Sequence, residues 1–231
     1  MVSEQPVGVL LFEQAGERMR GDPGLPGSLP FPVRLGYVPG SYRELIQGSP
    51  AIRDQLCQAA SRLAREGAGV IVGDCGLMVL YQREIAQAAG VPAAASSLIL
   101  LPLLRQLIGQ DRTVGILTGH SQLLGYAHLI AAGASSLDGL VIQGMEEEPH
   151  FRQVVIEGQG RHDYSLMRRD VLRAAEKLLD RGRPVGGLLL ECSNLCTYAW
   201  ELSQAFRLPV FDIGTAAQFL RLGLVKTCFR P

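Results

Sequence analysis

Five cysteines, at positions 57, 75, 192, 196 and 228, stand in a chain of 231 residues. An odd number at irregular spacing is no disulfide framework, so these are free thiols suited to a reducing compartment. Two of them have matching surroundings. A displacement of 117 positions lays Cys75 on Cys192, Asp74 on Glu191, Tyr81 on Tyr198, Glu84 on Glu201, Gln87 on Gln204 and Pro92 on Pro209. Each segment reads as an apolar strand, an acidic residue, a cysteine, a short turn, a helix and a Pro-containing strand. The halves also begin alike, with Gly8-Val9-Leu10 and Gly115-Ile116-Leu117. Ligands of open α/β sheets bind beyond the carboxyl ends of the strands. A thiol there, just before a helix, meets unpaired N–H groups and a positive dipole end, and both favour thiolate. Two such thiols across one cleft suit a reaction in which one removes a proton from carbon. The other then returns a proton from the opposite side, which inverts a stereocentre.

The elements that must position these thiols are legible as apolar runs. Val7–Phe12, Phe31–Val38, Gly69–Val72, Val91–Ala94, Thr113–Leu117, Leu140–Ile142, Gly187–Leu190 and Pro209–Phe211 read as strands. They are apolar on both faces, as parallel strands covered by helices are. Amphipathic helices lie between them. One carries Ile52, Leu56, Ala59 and Leu63, and another carries Val171, Leu172, Ala175, Leu178 and Leu179, each reading as a core face. Ser121 is the expected N-cap of a helix containing Leu124, Ala127 and Ile130. The alternation implies an α/β fold with mostly parallel sheets. Residues 20–40 break the rhythm with five prolines and five glycines. They read as a long surface connection, with a lid over a ligand site as the lesser alternative.

Composition narrows the function classes. Hydrophobic residues make up 47% and charged residues 19%, as in a packed globule. Lys plus Arg and Asp plus Glu each total 22, so no charge excess marks a nucleic-acid or membrane partner. No apolar run approaches the ~18 residues of a spanning helix. The first six residues lack the pattern of a signal peptide, and a cytoplasmic location is expected. No Gly-X-Gly-X-X-Gly follows a strand, and no phosphate-loop motif is present. Cys192 and Cys196 have no second ligand cluster to complete a zinc site. Cys196 matches Val79 in the first half and is read as core packing. Cys57 and Cys228 are read as inert. His120 reads as a solvated loop residue, and His128, His150 and His162 show no metal spacing. Glu146-Glu147-Glu148 reads as a solvated charge run at a helix start.

On these residues the chain resembles the cofactor-independent aspartate/glutamate racemase superfamily. The resemblance runs from Val7 to about Leu220. It is strongest at Gly73-Asp74-Cys75-Gly76, Ala95-Ser96-Ser97-Leu98, Leu117-Thr118, Leu190-Glu191-Cys192-Ser193-Asn194 and Leu208-Pro209-Val210-Phe211-Asp212. It implies two pseudo-twofold-related α/β lobes with the active site in the cleft between them. Residues 1–97 plus 209–231 are expected to form the first lobe and 98–208 the second. The implied activity is racemisation or epimerisation of a small amino acid or related carboxylate, an isomerase reaction without pyridoxal phosphate or metal. Cys75 and Cys192 would be its two bases. Ser96, Ser97, Ser193 and Asn194, with Gly76, would hold the substrate carboxylate, and Glu13 or Thr118 would contact the remaining polar groups. N-capping is the alternative role for Ser96 and Ser97. Asp74 and Glu191 are read as pointing away from the thiols, since neighbouring residues in a strand face opposite ways. A homodimer is expected by analogy alone.

The chain departs from well-studied glutamate racemases at three places. Gly76-Leu77 stands where they have Asn-Thr, Ser193-Asn194 where they have Thr-His, and Phe12-Glu13-Gln14 where they have an Asp-Ser pair. The departures keep two alternatives open. One is a cis–trans isomerase or decarboxylase on the same scaffold. The other is a catalytically retired small-ligand binding protein.

Overall fold

A computed structural model of the chain describes residues 5–12 and 17–225. Its first half holds β1 (Val7–Phe12), β2 (Val33–Val38), α1 (Tyr42–Ile46), α2 (Pro50–Arg65), β3 (Val70–Gly73), α3 (Gln82–Ala89) and β4 (Ala93–Ala94). Then follow α4 (Leu101–Leu107), β5 (Thr113–Thr118), α5 (Tyr126–Ala131), β6 (Leu140–Gly144), α6 (Pro149–Phe151) and α7 (Tyr164–Leu179). The described residues end with β7 (Val185–Leu190), α8 (Ala199–Phe206), β8 (Val210–Phe211) and α9 (Ile213–Leu224).

The strands form two four-stranded sheets, ordered β2-β1-β3-β4 and β6-β5-β7-β8, and every pairing is parallel. The repeat in the sequence is therefore a repeat of topology, with β5 in the place of β1 and β7 in the place of β3. The central strands are buried along their whole length. That explains their continuous apolar runs, because helices cover both faces. Ile52, Leu56, Ala59 and Leu63 of α2 are all at most 1% exposed, as their spacing predicts. The repeat extends to helix ends. Gly90 closes α3 in the left-handed region at φ 66°, and Arg207 closes α8 at φ 53°, a conformation that costs a non-glycine residue more.

β8 pairs with β7, while α9 packs back on β3 and β4 of the other sheet. Among the described residues no helix is long and apolar enough to cross a membrane.

Three local expectations are corrected. Gly125, not Ser121, is the N-cap of α5, because the Ser121 hydroxyl and N–H both donate to the Glu146 carboxylate. Glu148 is 1% exposed rather than solvated, and its carboxylate pairs with Arg173 and Lys177 of α7. Within the stretch expected as a surface connection, Asp22, Pro23 and Gly24 are buried and β2 takes the edge of the first sheet.

Candidate active site

Both sheets deliver a cysteine to the same kind of place. β3 ends at Gly73 and β7 at Leu190, and the next residue in each half ties back to the first strand of its sheet. The Asp74 N–H donates to the Leu10 carbonyl at 2.9 Å, and the Glu191 N–H donates to the Leu117 carbonyl at 2.8 Å. Each cysteine then opens a 3₁₀ turn, Gly76–Tyr81 or Ser193–Tyr198, with extended backbone (ψ 128° at both). The Cys75 carbonyl accepts from the Met78 N–H and the Cys192 carbonyl from the Leu195 N–H, both at 3.0 Å. Two equivalent strand ends thus present two equivalent thiols.

The thiols line one cavity of about 630 Å³. Of the other residues singled out in the sequence, Gly76, Thr118, Ser193 and Asn194 also line it. Ser96 and Ser97 do not. The Ser96 hydroxyl accepts from the Leu98 N–H at 3.1 Å, the capping role. Ser97 is 1% exposed and donates to the Leu190 carbonyl at 2.7 Å, joining the two halves behind the site. Ser97→Ala is therefore expected to lower stability by about 1–2 kcal/mol, since a buried carbonyl loses its partner. Urea denaturation checks this, and an unchanged midpoint would deny the hydroxyl that joint. Glu13 lies outside the described residues, as does Cys228. Cys196 lies in the core at 7% exposure.

Several cavity residues were not legible as site residues. Asp74 and Glu191 line the cavity rather than pointing away. The alternation rule does not reach them, because each strand has already ended one residue earlier. Glu17, Arg18, Tyr42, Phe151, His120 and His162 complete much of the wall. Tyr42 opens α1, whose Ser41–Glu44 capping box fixes its first turn, and its ring meets Phe12 edge-on at 5.0 Å. Nothing in a pattern of apolar periods marks these residues, since they come from loops or, as with Tyr42 and Phe151, from the ends of helices too short to show a period.

The electrostatics centre on Glu191. Its carboxylate accepts from the Thr118 hydroxyl at 2.7 Å and from the Gly119 N–H, yet burial still raises its pKa. It lies against Gly76, where an added Cβ would fall 2.0 Å from Oε1. Both thiols are pushed up, first by burial and next by the Glu191 charge. The halves differ in what opposes this. The N–H of the residue two positions on, Leu77 or Asn194, donates to each sulfur. Among the described residues Cys192 alone has a side-chain donor, Asn194 Nδ2 at 3.6 Å from Sγ, and its thiol is pushed up to about 12. Cys75 lacks that donor, and its thiol is pushed well above the ordinary value. Burial, then Asp74, also pushes the Tyr42 phenol up, so it stays a hydrogen-bond donor. Burial, then His150, lowers His162, which remains neutral with Nε2 3.2 Å from the Tyr198 hydroxyl. Among the described residues no group of three or more His, Cys, Asp or Glu side chains is placed to hold a metal ion.

No protein-family model matches the chain. Its sequence is similar to a dimethylsulfoniopropionate lyase of Durusdinium sp. clade D, 29% identical over 97% of this chain and 76% of that protein. It is also similar to dimethylsulfoniopropionate lyase 3 of Emiliania huxleyi strain CCMP1516, 27% identical over 97% of this chain but only 61% of that protein's length. Among solved structures, allantoin racemase from Klebsiella pneumoniae superposes with a TM-score of 0.62 at 14% identity, over 96% of this chain and 90% of the other. Unliganded arylmalonate decarboxylase superposes with a TM-score of 0.58 at 20% identity, over 95% and 92%.

The sequence relatives are named as lyases, which overturns the expected racemase or epimerase and, with it, the isomerase class. The physical reason is that removal of a proton beside a carboxylate opens both reactions. A pair of thiols does not specify whether the carbanion is then reprotonated or expels a leaving group. At 20% identity and below, the structural likenesses speak to architecture alone: the chain shares the two-lobed α/β fold of these racemase and decarboxylase structures.

Proposed function

We propose that this chain is a thiol-dependent lyase that removes the proton α to a carboxylate and expels a leaving group from the β-carbon, with dimethylsulfoniopropionate as substrate. The observation that carries this reading is the cavity itself. Among the described residues, two thiols share it with three carboxylates, Glu17, Asp74 and Glu191, against one guanidinium, Arg18. Such a cavity disfavours a second anion but suits a zwitterion whose cationic end is a sulfonium. The aromatic faces of Tyr42 and Phe151 add an attraction for that cation. The names of the sequence relatives point the same way.

In this reading Cys192 is the base, because Asn194 supports its thiolate with a side-chain donor that Cys75 lacks. The Cys192 thiolate takes the α-proton, the C–H electron pair becomes the new double bond, and the β-carbon–sulfur bond breaks with its electrons on sulfur. The products are dimethyl sulfide, acrylate and a protonated thiol. Negative charge develops on the carboxylate oxygens as the proton leaves, and donors aimed there lower the barrier. Thr118 is occupied by Glu191, and one N–H of the Asn194 amide by Cys192. That leaves the Tyr42 hydroxyl, Ser193, the second Asn194 N–H, the Gly76 N–H and the Cys75 thiol as donors for the carboxylate.

The test is incubation of the protein with dimethylsulfoniopropionate, measuring headspace dimethyl sulfide and, by proton NMR, acrylate. Equal amounts of both products are expected. An active-site-titrated preparation that releases neither at millimolar substrate would refute the assignment.

A further inference from the structure

The residue before Cys75 raises a problem that the strand-end design does not solve. Asp74 is 2% exposed and lines the cavity beside the thiol. A buried carboxylate next to a thiol opposes its ionisation, and a buried carboxylate without a partner is itself costly. Arg18 meets both needs. Its Nη1 and Nη2 lie 3.0 and 2.9 Å from the two oxygens of Asp74, a bidentate fork. Among the described residues it is the only Lys or Arg that lines the cavity.

Arg18 belongs to the irregular stretch 17–32, and its place there is built. Nη1 also meets Asp22 Oδ1 at 2.7 Å, and the Gly24 N–H donates to that same oxygen at 2.7 Å. Asp22 is 2% exposed. Gly21, at φ +102°, lies so close to the turn that follows Cys192 that an added Cβ would sit 2.8 Å from the Thr197 Cα. The stretch is thus pinned to the second half at Gly21 and to the first half at Arg18. It sets a guanidinium on a carboxylate 56 residues away.

We propose that Arg18, held in place by Asp22 and the Gly21–Thr197 contact, is a positioning residue for the first thiol: it neutralises Asp74, so that Cys75 faces one unopposed carboxylate instead of two. Among the described residues, the groups that face Cys75 are Glu191 and Cys192 from the second half, Asp74 from its own strand end, the Tyr42 phenol from α1 and the Leu77 N–H.

The experiment needs no substrate, so its outcome is independent of the lyase assignment. The folded protein is alkylated with iodoacetamide across pH 7–10, and modification of Cys75 is followed by peptide mass spectrometry. With Arg18→Gln the Asp74 charge is uncompensated, the thiol holds its proton to higher pH, and Cys75 alkylation at pH 8.5 is expected to slow about tenfold. A tenfold change corresponds to one pKa unit. Arg18→Lys, which keeps the charge but loses the fork, should fall between. Removing the offending charge as well, in Arg18→Gln with Asp74→Asn, should return the rate to within about threefold of wild type. A purely structural strap predicts that the double variant stays as slow as Arg18→Gln. Superimposable Cys75 profiles for wild type and Arg18→Gln, or a double variant without recovery, would overturn the proposal. If Arg18→Gln does not fold, the same comparison is made between Arg18→Lys and Arg18→Lys with Asp74→Asn.

Discussion

Replacing Cys192 by serine is expected to lower the rate of elimination by about 10³-fold, in the middle of the ~10²–10⁴ that a positioned general base contributes. A serine hydroxyl fills nearly the same space but does not ionise at any working pH, so the change removes the base and little else. Cys75→Ser is expected to cost much less, because the first thiol acts as a donor and a hydroxyl still donates. The asymmetry follows from Asn194, whose amide nitrogen lies 3.6 Å from the Cys192 sulfur, with no counterpart at Cys75 among the described residues. The pH dependence has a definite sign. Burial and the Glu191 charge raise the Cys192 thiol to about 12, so below that value the thiolate fraction grows with pH. In the free protein kcat/KM should therefore climb steadily from pH 7 to 9, by up to tenfold per unit. A bound sulfonium favours thiolate, so the rise in kcat should lie at lower pH than the rise in kcat/KM. Initial rates of dimethyl sulfide release check all four statements. A Cys192→Ser protein that keeps more than a tenth of wild-type turnover, or one less damaged than Cys75→Ser, removes Cys192 from the role of base.

Gly76→Ala is expected to cost more than 100-fold in turnover and about 1–3 kcal/mol in stability. The new methyl would fall 2.0 Å from Glu191 Oε1, 2.3 Å from Cδ and 2.4 Å from Cγ. No rotation of an end group relieves that contact, because three atoms of the side chain are involved. Either Glu191 leaves the Thr118 hydroxyl and the Gly119 N–H, or the turn that carries Cys75 moves away. Overpacking of this kind typically costs about 1–3 kcal/mol. Moving Glu191 beside Cys192, or the Gly76 N–H and Cys75 thiol that hold the carboxylate, misplaces the α-carbon against the base, and about 1 Å of misplacement costs on the order of 10²-fold. Urea denaturation and turnover measured on the same preparation separate the two effects. Wild-type turnover with lowered stability would mean that the carboxylate and the first thiol do not need their present separation.

The sequence reading succeeded where the signal is local. Buried parallel strands announce themselves as unbroken apolar runs, and all eight runs contain a strand, with no bound shifted by more than two residues. It failed at Ser96 and Ser97, where the serines that cap a turn and those that hold a ligand look alike in sequence. It failed again at Asp74 and Glu191, where a strand's alternation was carried one residue past its end.

By itself the sequence determined the two-lobed α/β architecture and the pair of matched thiols, because strand periods and a duplication are written in neighbouring residues. Only the tertiary structure decided what surrounds those thiols. Arg18 reaches Asp74 across 56 positions and Thr118 reaches Glu191 across 73, while Gly21 seats its stretch of chain on Thr197. Such pairings depend on how the two halves and the stretch between β1 and β2 come together, and no local propensity encodes a meeting between residues so far apart.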